Sequence, residues 1–271
     1  MRIYKGCLIF ACLLSLTAFS QSRPSTASPR VHIMDTAFSI PELGRTRRIW
    51  VYLPDGKQGE KFPVLYMHDG QNLFDARTSY AGEWGLDEFM DSTSLPKCII
   101  VGIDNGGADR IHELTPYYME KYGKAEGDAY LHFLVKTLKP YIDAHYPVRN
   151  NRKNTWIGGS SLGGLISFYA LMKYPKTFGG AAVFSPSFWI AKAIYKEVIP
   201  RLKKMKASIY FYAGKKESEE MVPDMLKMLE LVNHRPNIHA TAVIRDEGKH
   251  QELSWRQEFP LFYKWMTENR K

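Results

Sequence analysis

Cysteine is scarce in this chain, which has three among 271 residues. Two of them, Cys7 and Cys12, lie within the first twenty residues, so only Cys98 belongs to the remainder. One cysteine can form neither an internal disulfide bond nor a cysteine-based metal cluster. Cys98 lies in the apolar run CIIVGI, and we expect it to be a small residue of the core.

Long apolar runs are also absent beyond residue 20. Before that point, Arg2 and Lys5 form a basic start, followed by the apolar run CLIFACLLSLTAF and small residues before Gln21. This pattern predicts a secretory signal peptide over residues 1–20, although an ordinary buried N-terminal helix is the alternative. The run is too short for a membrane anchor, and we expect no transmembrane segment in the mature chain.

Internal linkers, repeats and low-complexity tracts are missing as well. Residues 21–30, QSRPSTASPR, have the composition of a flexible linker. Residues 31–271 contain no further stretch of this kind, and their length suits one domain with a sizeable core.

Acidic residues are outnumbered, and the formal net charge is +9, or +7 without Arg2 and Lys5. The basic residues do not alternate with aromatic residues in one patch, so we expect no nucleic-acid partner. A basic surface can attract anionic ligands, but an ordinary solvated surface is the simpler interpretation.

Apolar runs alternate with helical patterns along the chain. Strands are predicted at 47–54, 64–69, 98–104, 154–159, 181–185, 208–214 and 240–244. Helices are predicted at 128–145, 162–174, 189–204, 218–233 and 251–268. The strands from residue 64 onward lack clean alternation, which is typical of a parallel sheet covered on both faces. Ligands bind such sheets at the carboxyl edge, so the loops after the strands are candidate sites.

The stretch GGSSLGG, residues 158–164, lies between a predicted strand and a predicted helix. It contains the pattern G-x-S-x-G with Ser161 at its centre, and this context is the one that a nucleophile elbow requires. Gly159 and Gly163 would avoid collisions across the sharp turn. The alternative is a loop that merely permits a tight turn. Ser160 is in the wrong position for the pattern.

The base of a nucleophilic serine should follow it in the chain. Three histidines do so, namely His234, His239 and His250. His234 precedes Arg-Pro in a predicted loop, and His239 begins a strand. His250 follows the last strand through a loop containing a glycine, so it is the candidate base, with a surface or capping role as the alternative.

The acid of such a triad should follow an earlier strand. Glu217 is the first carboxylate after the strand SIYFYAG, and its expected role is to orient the histidine. Glu219 and Glu220 suit the start of the next helix, yet they remain rivals, as does Asp246.

An oxyanion hole needs two N–H donors. One candidate is the amide of Leu162, which follows the serine, and the other is the amide of Gly70 or Gln71 after the strand VLYMHD. His68 and Asp69 could be mistaken for metal ligands, but no third ligand stands at useful spacing. We therefore expect no metal site and a structural role for these two residues.

Five segments together resemble the putative-esterase family of α/β-hydrolases, which includes enterochelin, feruloyl and acetyl-xylan esterases and S-formylglutathione hydrolases. They are YMHDGQNLFD (66–75), GGSSLGGL (158–165), FSPSFW (184–189), YAGKKE (212–217) and GKHQELSWRQEFP (248–260). The resemblance implies an eight-stranded hydrolase fold and a triad of Ser161, Glu217 and His250. It also implies that Trp189 and Arg110 line the substrate cleft, although a core tryptophan and a loop-pinning ion pair are equally good interpretations.

These features predict an exported, secreted or periplasmic, serine esterase that needs no cofactor. Its substrate would be a small-molecule or glycan-linked ester, either an aryl or acetyl ester on a polysaccharide or an ester bond of a catecholate siderophore. A hydrolase-fold protein that only binds a ligand is the alternative of another class. An acyltransferase using the same triad is a further alternative.

Overall fold

A computed structural model describes residues 24–270, and the predicted signal peptide lies outside this range. Eight strands form one sheet: β1 (Val31–Ile40), β2 (Arg45–Tyr52), β3 (Val64–His68), β4 (Ile99–Ile103), β5 (Thr155–Ser160), β6 (Gly180–Phe184), β7 (Ala207–Gly214) and β8 (Ile238–Arg245). Their order across the sheet is β1-β2-β4-β3-β5-β6-β7-β8. The six strands from β3 to β8 run parallel, whereas β1 and β2 pair antiparallel. The mostly parallel eight-stranded α/β architecture is therefore confirmed.

Strand β1 is the one that the sequence pattern did not reveal. Most of its ten residues are at least partly exposed, since it lies at the edge of the sheet and pairs only with β2. Its pairing is also interrupted by irregularities between Ile33 and Phe38. An exposed, irregular edge strand has neither the continuous apolar run nor the strict alternation by which strands are found.

Eight α-helices accompany the sheet in the described range: α1 (Leu86–Ser92), α2 (Arg110–Glu113), α3 (Gly127–Phe133), α4 (Lys139–His145), α5 (Leu162–Lys173), α6 (Ile194–Arg201), α7 (Met221–Asn233) and α8 (Glu252–Glu268). The helix predicted over 128–145 is present as α3 and α4, joined by a wider π-type turn at Leu134–Leu138. Pro140 explains the wider turn, because proline has no N–H to donate to the preceding turn.

Alternate residues of the central strands pack on opposite faces of the sheet. In β3, Val64 and Tyr66 belong to one buried cluster, and Leu65 and Met67 belong to the other. Because both faces are covered, β3, β4, β5 and β6 are buried along their whole length and are mostly apolar. Helix α5 is buried for all but its last residue, so it too lacks a polar face. This arrangement fixes the β5–α5 junction, where Ser161 lies, in the middle of the molecule.

The described part of the predicted linker, residues 24–30, runs along the protein surface with fixed partners. Ser25 Oγ donates to Asp75 Oδ2 at 2.7 Å, and the Ser28 amide donates to Asp87 Oδ2 at 2.7 Å. Their composition is typical of a linker, and the carboxylates that they bind come from distant parts of the chain.

The single cysteine of the described range, Cys98, is fully buried. Burial raises the pKa of its thiol to about 12, so it stays protonated and unreactive. Within residues 24–270, no helix is long and apolar enough to cross a membrane.

Candidate active site

Ser161 lies at the sharp turn between β5 and α5 with a φ of 61° and a ψ of −120°. A Cβ atom added to Gly159 would lie 3.1 Å from the Cα of Gly163, and one added to Gly163 would lie 3.2 Å from the Cβ of His68, so a side chain at either position would crowd the turn. The Ser161 amide donates to the carbonyl of Phe184 on β6 at 3.0 Å, which fixes the turn against the neighbouring strand. Ser160 is the last residue of β5 and is buried. The strand–turn–helix context expected of a nucleophile elbow is thus present around Ser161.

Two other predicted side chains meet at the same edge of the sheet. His250 Nδ1 lies 2.8 Å from Glu217 Oε2. An ionised carboxylate can only accept, so Nδ1 donates and Nε2 remains as the acceptor. The Glu217 side chain is 1% exposed and that of His250 is 37% exposed, which leaves the ring accessible to a substrate.

Three of the rival candidates are exposed or have other partners, whereas Glu220 lines the same cleft as Ser161. Asp246 pairs with Lys215 at the surface, at 2.8 Å. His234 follows the end of α7 and is exposed. His239 stacks on the Trp265 ring with the ring centroids 5.5 Å apart.

Two backbone hydrogen bonds connect the loop that carries Glu217 to the loop that carries His250. The Lys215 amide donates to the Arg245 carbonyl at 2.9 Å, and the Lys216 amide donates to the Gly248 carbonyl at 3.0 Å. Gly214 packs directly against Gly248, because a Cβ atom on either residue would collide with the other. Close approach of two backbones therefore sets the distance between acid and base.

The second oxygen of Glu217 has two buried donors. Oε1 accepts the Gly214 amide at 2.6 Å and the Ser185 hydroxyl at 2.7 Å. Ser185 in turn accepts the indole N–H of Trp255 at 2.9 Å. Sequence reasoning missed both side chains, although FSPSFW and SWRQEFP among the family segments contain them.

A cleft of about 530 Å³ opens beside Ser161. Its lining combines hydroxyl, charged and apolar side chains: Ser161, Ser187, Trp189, Lys192, Glu217, Ser218, Glu220, Met221 and His250. Of the lining residues, Trp189 is 46% exposed, whereas Met221 is buried. Ser161 Oγ lies 3.2 Å from Ser187 Oγ, a neighbour that sequence reasoning also missed.

The candidate oxyanion donors lie at two turns. Leu162 is the first residue of α5, where backbone N–H groups have no partner within the helix. Gly70 and Gln71 begin a short 3₁₀ turn after β3, whose own hydrogen bonds start at the amides of Asn72 and Leu73. The turn therefore does not use the amides of Gly70 and Gln71. Gly70 must be glycine because its Cα lies against the backbone of β4.

Arg110 binds the turn that contains Gly70, and the residues lining the main cleft do not include it. Its Nε and a terminal nitrogen donate to the two carboxylate oxygens of Asp69, at 2.6 and 2.7 Å. Asn105 donates to the same carboxylate at 2.7 Å. Burial alone would raise the pKa of Asp69, but the Arg110 charge and these hydrogen bonds lower it below its usual value. Of the two interpretations left open for Arg110, this geometry matches the loop-pinning ion pair.

His68 is buried beneath the elbow, with Nδ1 2.8 Å from the Tyr130 hydroxyl. Burial lowers the pKa of His68 to about 4, so its ring is neutral near pH 7. No group of three or more His, Cys, Asp or Glu side chains within residues 24–270 is arranged to hold a metal ion. The position of His68 supports a structural role.

Comparison with known proteins identifies the family of this chain. The model of the Putative esterase family matches residues 40–265, which is most of the chain. The chain belongs to the Putative esterase family. As a member of this family, it is a carboxylic ester hydrolase.

Individual relatives are distant. The chain is 25% identical to the iron(III) enterobactin esterase of Escherichia coli K12 over 84% of its length and 56% of the relative's. It is 23% identical to the endo-1,4-β-xylanase/feruloyl esterase of Xylanibacter ruminicola over 83% of its length and 30% of the relative's. It therefore spans about half and less than a third of these two curated proteins.

The solved structure of an IroE-like serine hydrolase from Shewanella oneidensis has the same fold. The TM-score is 0.70 at 22% identity, covering 88% of this chain and 78% of that one. The α/β-hydrolase fold expected from the family segments is thereby confirmed.

Proposed function

We propose that this protein is a serine esterase in which Ser161 is the nucleophile, His250 the general base and Glu217 the acid that orients it. The observation that carries the proposal is the 2.8 Å contact between His250 Nδ1 and Glu217 Oε2 at the cleft that also contains Ser161. This contact leaves His250 Nε2 to take the serine proton.

The reaction begins when Ser161 Oγ attacks the ester carbonyl carbon while His250 removes the hydroxyl proton. The amides of Leu162 and of Gly70 or Gln71 stabilise the oxyanion that forms. The carbonyl re-forms as the C–O bond to the alcohol breaks, and His250 gives its proton to the leaving oxygen. Water, deprotonated by His250, then attacks the acyl-enzyme; the bond from the acyl carbon to Ser161 Oγ breaks, His250 returns the proton to Ser161 Oγ, and the acid is released.

The lining of the cleft supports an ester with a flat or aromatic acyl or alcohol group. The half-exposed Trp189 ring offers a stacking surface, and buried Met221 adds an apolar wall. Lys192 supplies a positive charge that suits a phenolate or carboxylate. Aryl esters on polysaccharides and the ester bonds of catecholate siderophores both carry such an aromatic group, and the names of the two curated relatives cover both classes.

Export is part of the proposal, based on the signal-peptide pattern of residues 1–20. Expression of the full chain in a bacterial host, followed by fractionation and N-terminal sequencing of the exported form, tests it. Cleavage before Gln21 is expected, and an intact N-terminus in the cytosolic fraction would contradict it.

The catalytic assignment is tested with a fluorophosphonate probe on the purified protein, followed by mass mapping of the labelled peptide. We expect labelling at Ser161 and its loss in His250→Ala. Ser160→Ala is the matched control, because it removes the neighbouring, buried hydroxyl and should leave labelling intact. Hydrolysis of 4-nitrophenyl acetate that survives Ser161→Ala would disprove the mechanism.

Further assays on the same purified protein distinguish the remaining candidate functions. Release of ferulate or acetate from a polysaccharide points to the first substrate class, and linearisation of a cyclic catecholate trilactone points to the second. Ligand binding without turnover of any ester would favour the non-catalytic alternative. Transfer of the acyl group to an added sugar or alcohol in preference to water would favour the acyltransferase.

A further inference from the structure

Three non-glycine residues of the described range have positive φ angles: Asp69 (59°), Ser161 (61°) and Ser185 (44°). They follow β3, β5 and β6, which are consecutive neighbours in the sheet. Such angles cost free energy and persist only where the surroundings demand them, often at functional sites. Ser161 is at the elbow and Asp69 binds Arg110, but the proposed reaction gives no role to Ser185.

The hydroxyl of Ser185 is fully buried between two polar partners. An indole N–H can only donate, so the 2.9 Å contact with Trp255 Nε1 requires the Ser185 oxygen to accept. The serine proton is then available for Glu217 Oε1, at 2.7 Å. The two hydrogen bonds therefore run in one direction: Trp255 donates to Ser185, and Ser185 donates to the Glu217 carboxylate.

The backbone of Ser185 is fixed as firmly as its side chain. Its amide donates to the Tyr212 carbonyl on β7 at 2.7 Å. The loop that carries Glu217 leaves the sheet from the end of this same strand. The positive φ therefore places the hydroxyl of one strand end against the carboxylate that follows the next.

Trp255 contacts both members of the proposed acid–base pair. Through Ser185 its N–H reaches Glu217, while its ring meets the His250 ring nearly perpendicularly, with centroids 5.1 Å apart. It comes from the first turn of α8 and is buried, also packing on Trp84. The Trp255 ring thus packs against the imidazole of His250 on one side. Its N–H stabilises the Glu217 carboxylate indirectly, through the hydroxyl of Ser185.

We propose that Ser185 and Trp255 form a positioning pair that holds the Glu217 carboxylate with Oε2 facing His250. Neither residue touches the reacting atoms, so they act through the acid and the base. The inference rests on the proposed roles of Glu217 and His250. Because the Gly214 amide also binds Oε1, losing one member of the pair loosens the carboxylate without freeing it.

The primary variant is Ser185→Gly, because glycine accepts a φ of 44° and loses only the hydroxymethyl group. We expect the variant to fold and kcat for 4-nitrophenyl acetate to fall about 10- to 100-fold, with KM nearly unchanged. Trp255→Phe keeps the ring and removes the donor, so a smaller loss of about 3- to 10-fold is expected. If Ser185→Gly fails to fold, Trp255→Phe carries the same test.

Two buried residues away from the site provide matched controls. Ser208→Ala removes a buried serine hydroxyl bonded to the Asn269 carbonyl, and Trp156→Phe removes an indole N–H bonded to the Lys153 carbonyl. Both should keep kcat within about two-fold of the parent, since neither group contacts the acid or the base.

Double variants distinguish positioning from a general structural effect. In a Glu217→Ala background, Ser185→Gly should cause no further loss of kcat, because the carboxylate on which it acts is gone. In a Ser185→Gly background, Trp255→Phe should likewise add little. An unchanged kcat in Ser185→Gly, or an equal loss with and without Glu217, would overturn the inference. Dependence of the parent's activity on Ser161 is measured alongside, so failure of the proposed function is recognised separately.

Discussion

Gly214 and Gly248 pack backbone to backbone, one at the end of β7 and the other in the loop before His250. Side chains at either position would force apart the two loops that carry Glu217 and His250. The contact is also tied by the hydrogen bond from the Lys216 amide to the Gly248 carbonyl. The proposed acid–base pair thus depends on two residues that contribute no functional group.

Alanine at either glycine should therefore impair both stability and activity. For Gly214→Ala and Gly248→Ala we expect a loss of about 1–3 kcal/mol in the free energy of unfolding, as for other overpacked sites. We also expect at least about a ten-fold loss of kcat from displacement of the histidine. Gly59→Ala is the control for kcat alone: its Cβ would meet no atom within 4 Å, but its φ of 77° should itself cost about 1–2 kcal/mol of stability. Denaturant titration and ester kinetics measure the two effects, and full activity in both variants would contradict this account.

Replacing Glu217 by glutamine should preserve the packing around this side chain and remove the carboxylate that orients His250. An amide nitrogen facing His250 Nδ1 would favour the wrong tautomer, so kcat should fall by about 10³- to 10⁴-fold with KM almost unchanged. Glu219→Gln and Glu220→Gln change the rival carboxylates of the same loop. If either of these lowers kcat more than Glu217→Gln, the acid has been assigned to the wrong residue.

Loss of Arg110 should leave the Asp69 carboxylate buried without its counter-charge. Arg110→Met is expected to cost about 3–5 kcal/mol of unfolding free energy, whereas the double variant with Asp69→Leu should recover part of it. Arg201→Met, which breaks an exposed pair with Glu197, should cost less than about 1 kcal/mol. Since Asp69 precedes Gly70 and Gln71, we expect kcat to fall in Arg110→Met as well. A rise in KM alone would instead favour a direct contact between Arg110 and the substrate.

His68 should make the protein less stable as the pH falls from about 6.5 to about 4. Its folded pKa of about 4 lies below the unfolded value of about 6.5, so over this range the unfolded state binds more protons. The neutral His68 ring contributes about 3 kcal/mol to the free energy of unfolding at neutral pH. This contribution is lost entirely once the pH is below both the folded and the unfolded pKa. His68→Phe should flatten this part of the stability curve, although it starts lower because Tyr130 loses a partner. Equal slopes in the parent and His68→Phe would contradict the assignment.

The sequence predicted those parts of the fold and site that depend on local pattern. The central strands were recognisable because burial on both faces makes them apolar, and Ser161 because an elbow needs glycines on both sides. Glu217 and His250 were proposed from topology, since loops after parallel strands share one edge, and their side chains do meet there. The role of Arg110 depended instead on which distant carboxylate it reaches. The role of Ser185 depends on a positive φ angle that a serine rarely adopts. Neither the partner of Arg110 nor this angle can be predicted from the local sequence.

One wall of the cleft comes from a segment of the chain that carries neither Glu217 nor His250. Trp189 and Lys192 belong to the segment between β6 and α6, whereas Glu217 and His250 are held by the ends of β7 and β8 and by α8. Trp189 and Lys192 can therefore be exchanged while the backbone bonds between the loops of Glu217 and His250 stay in place. Phe188 and Ala191 of the same segment are buried in the core and must be kept. In the laboratory, the exposed positions 189 and 192 are the natural targets for directed evolution towards a new ester.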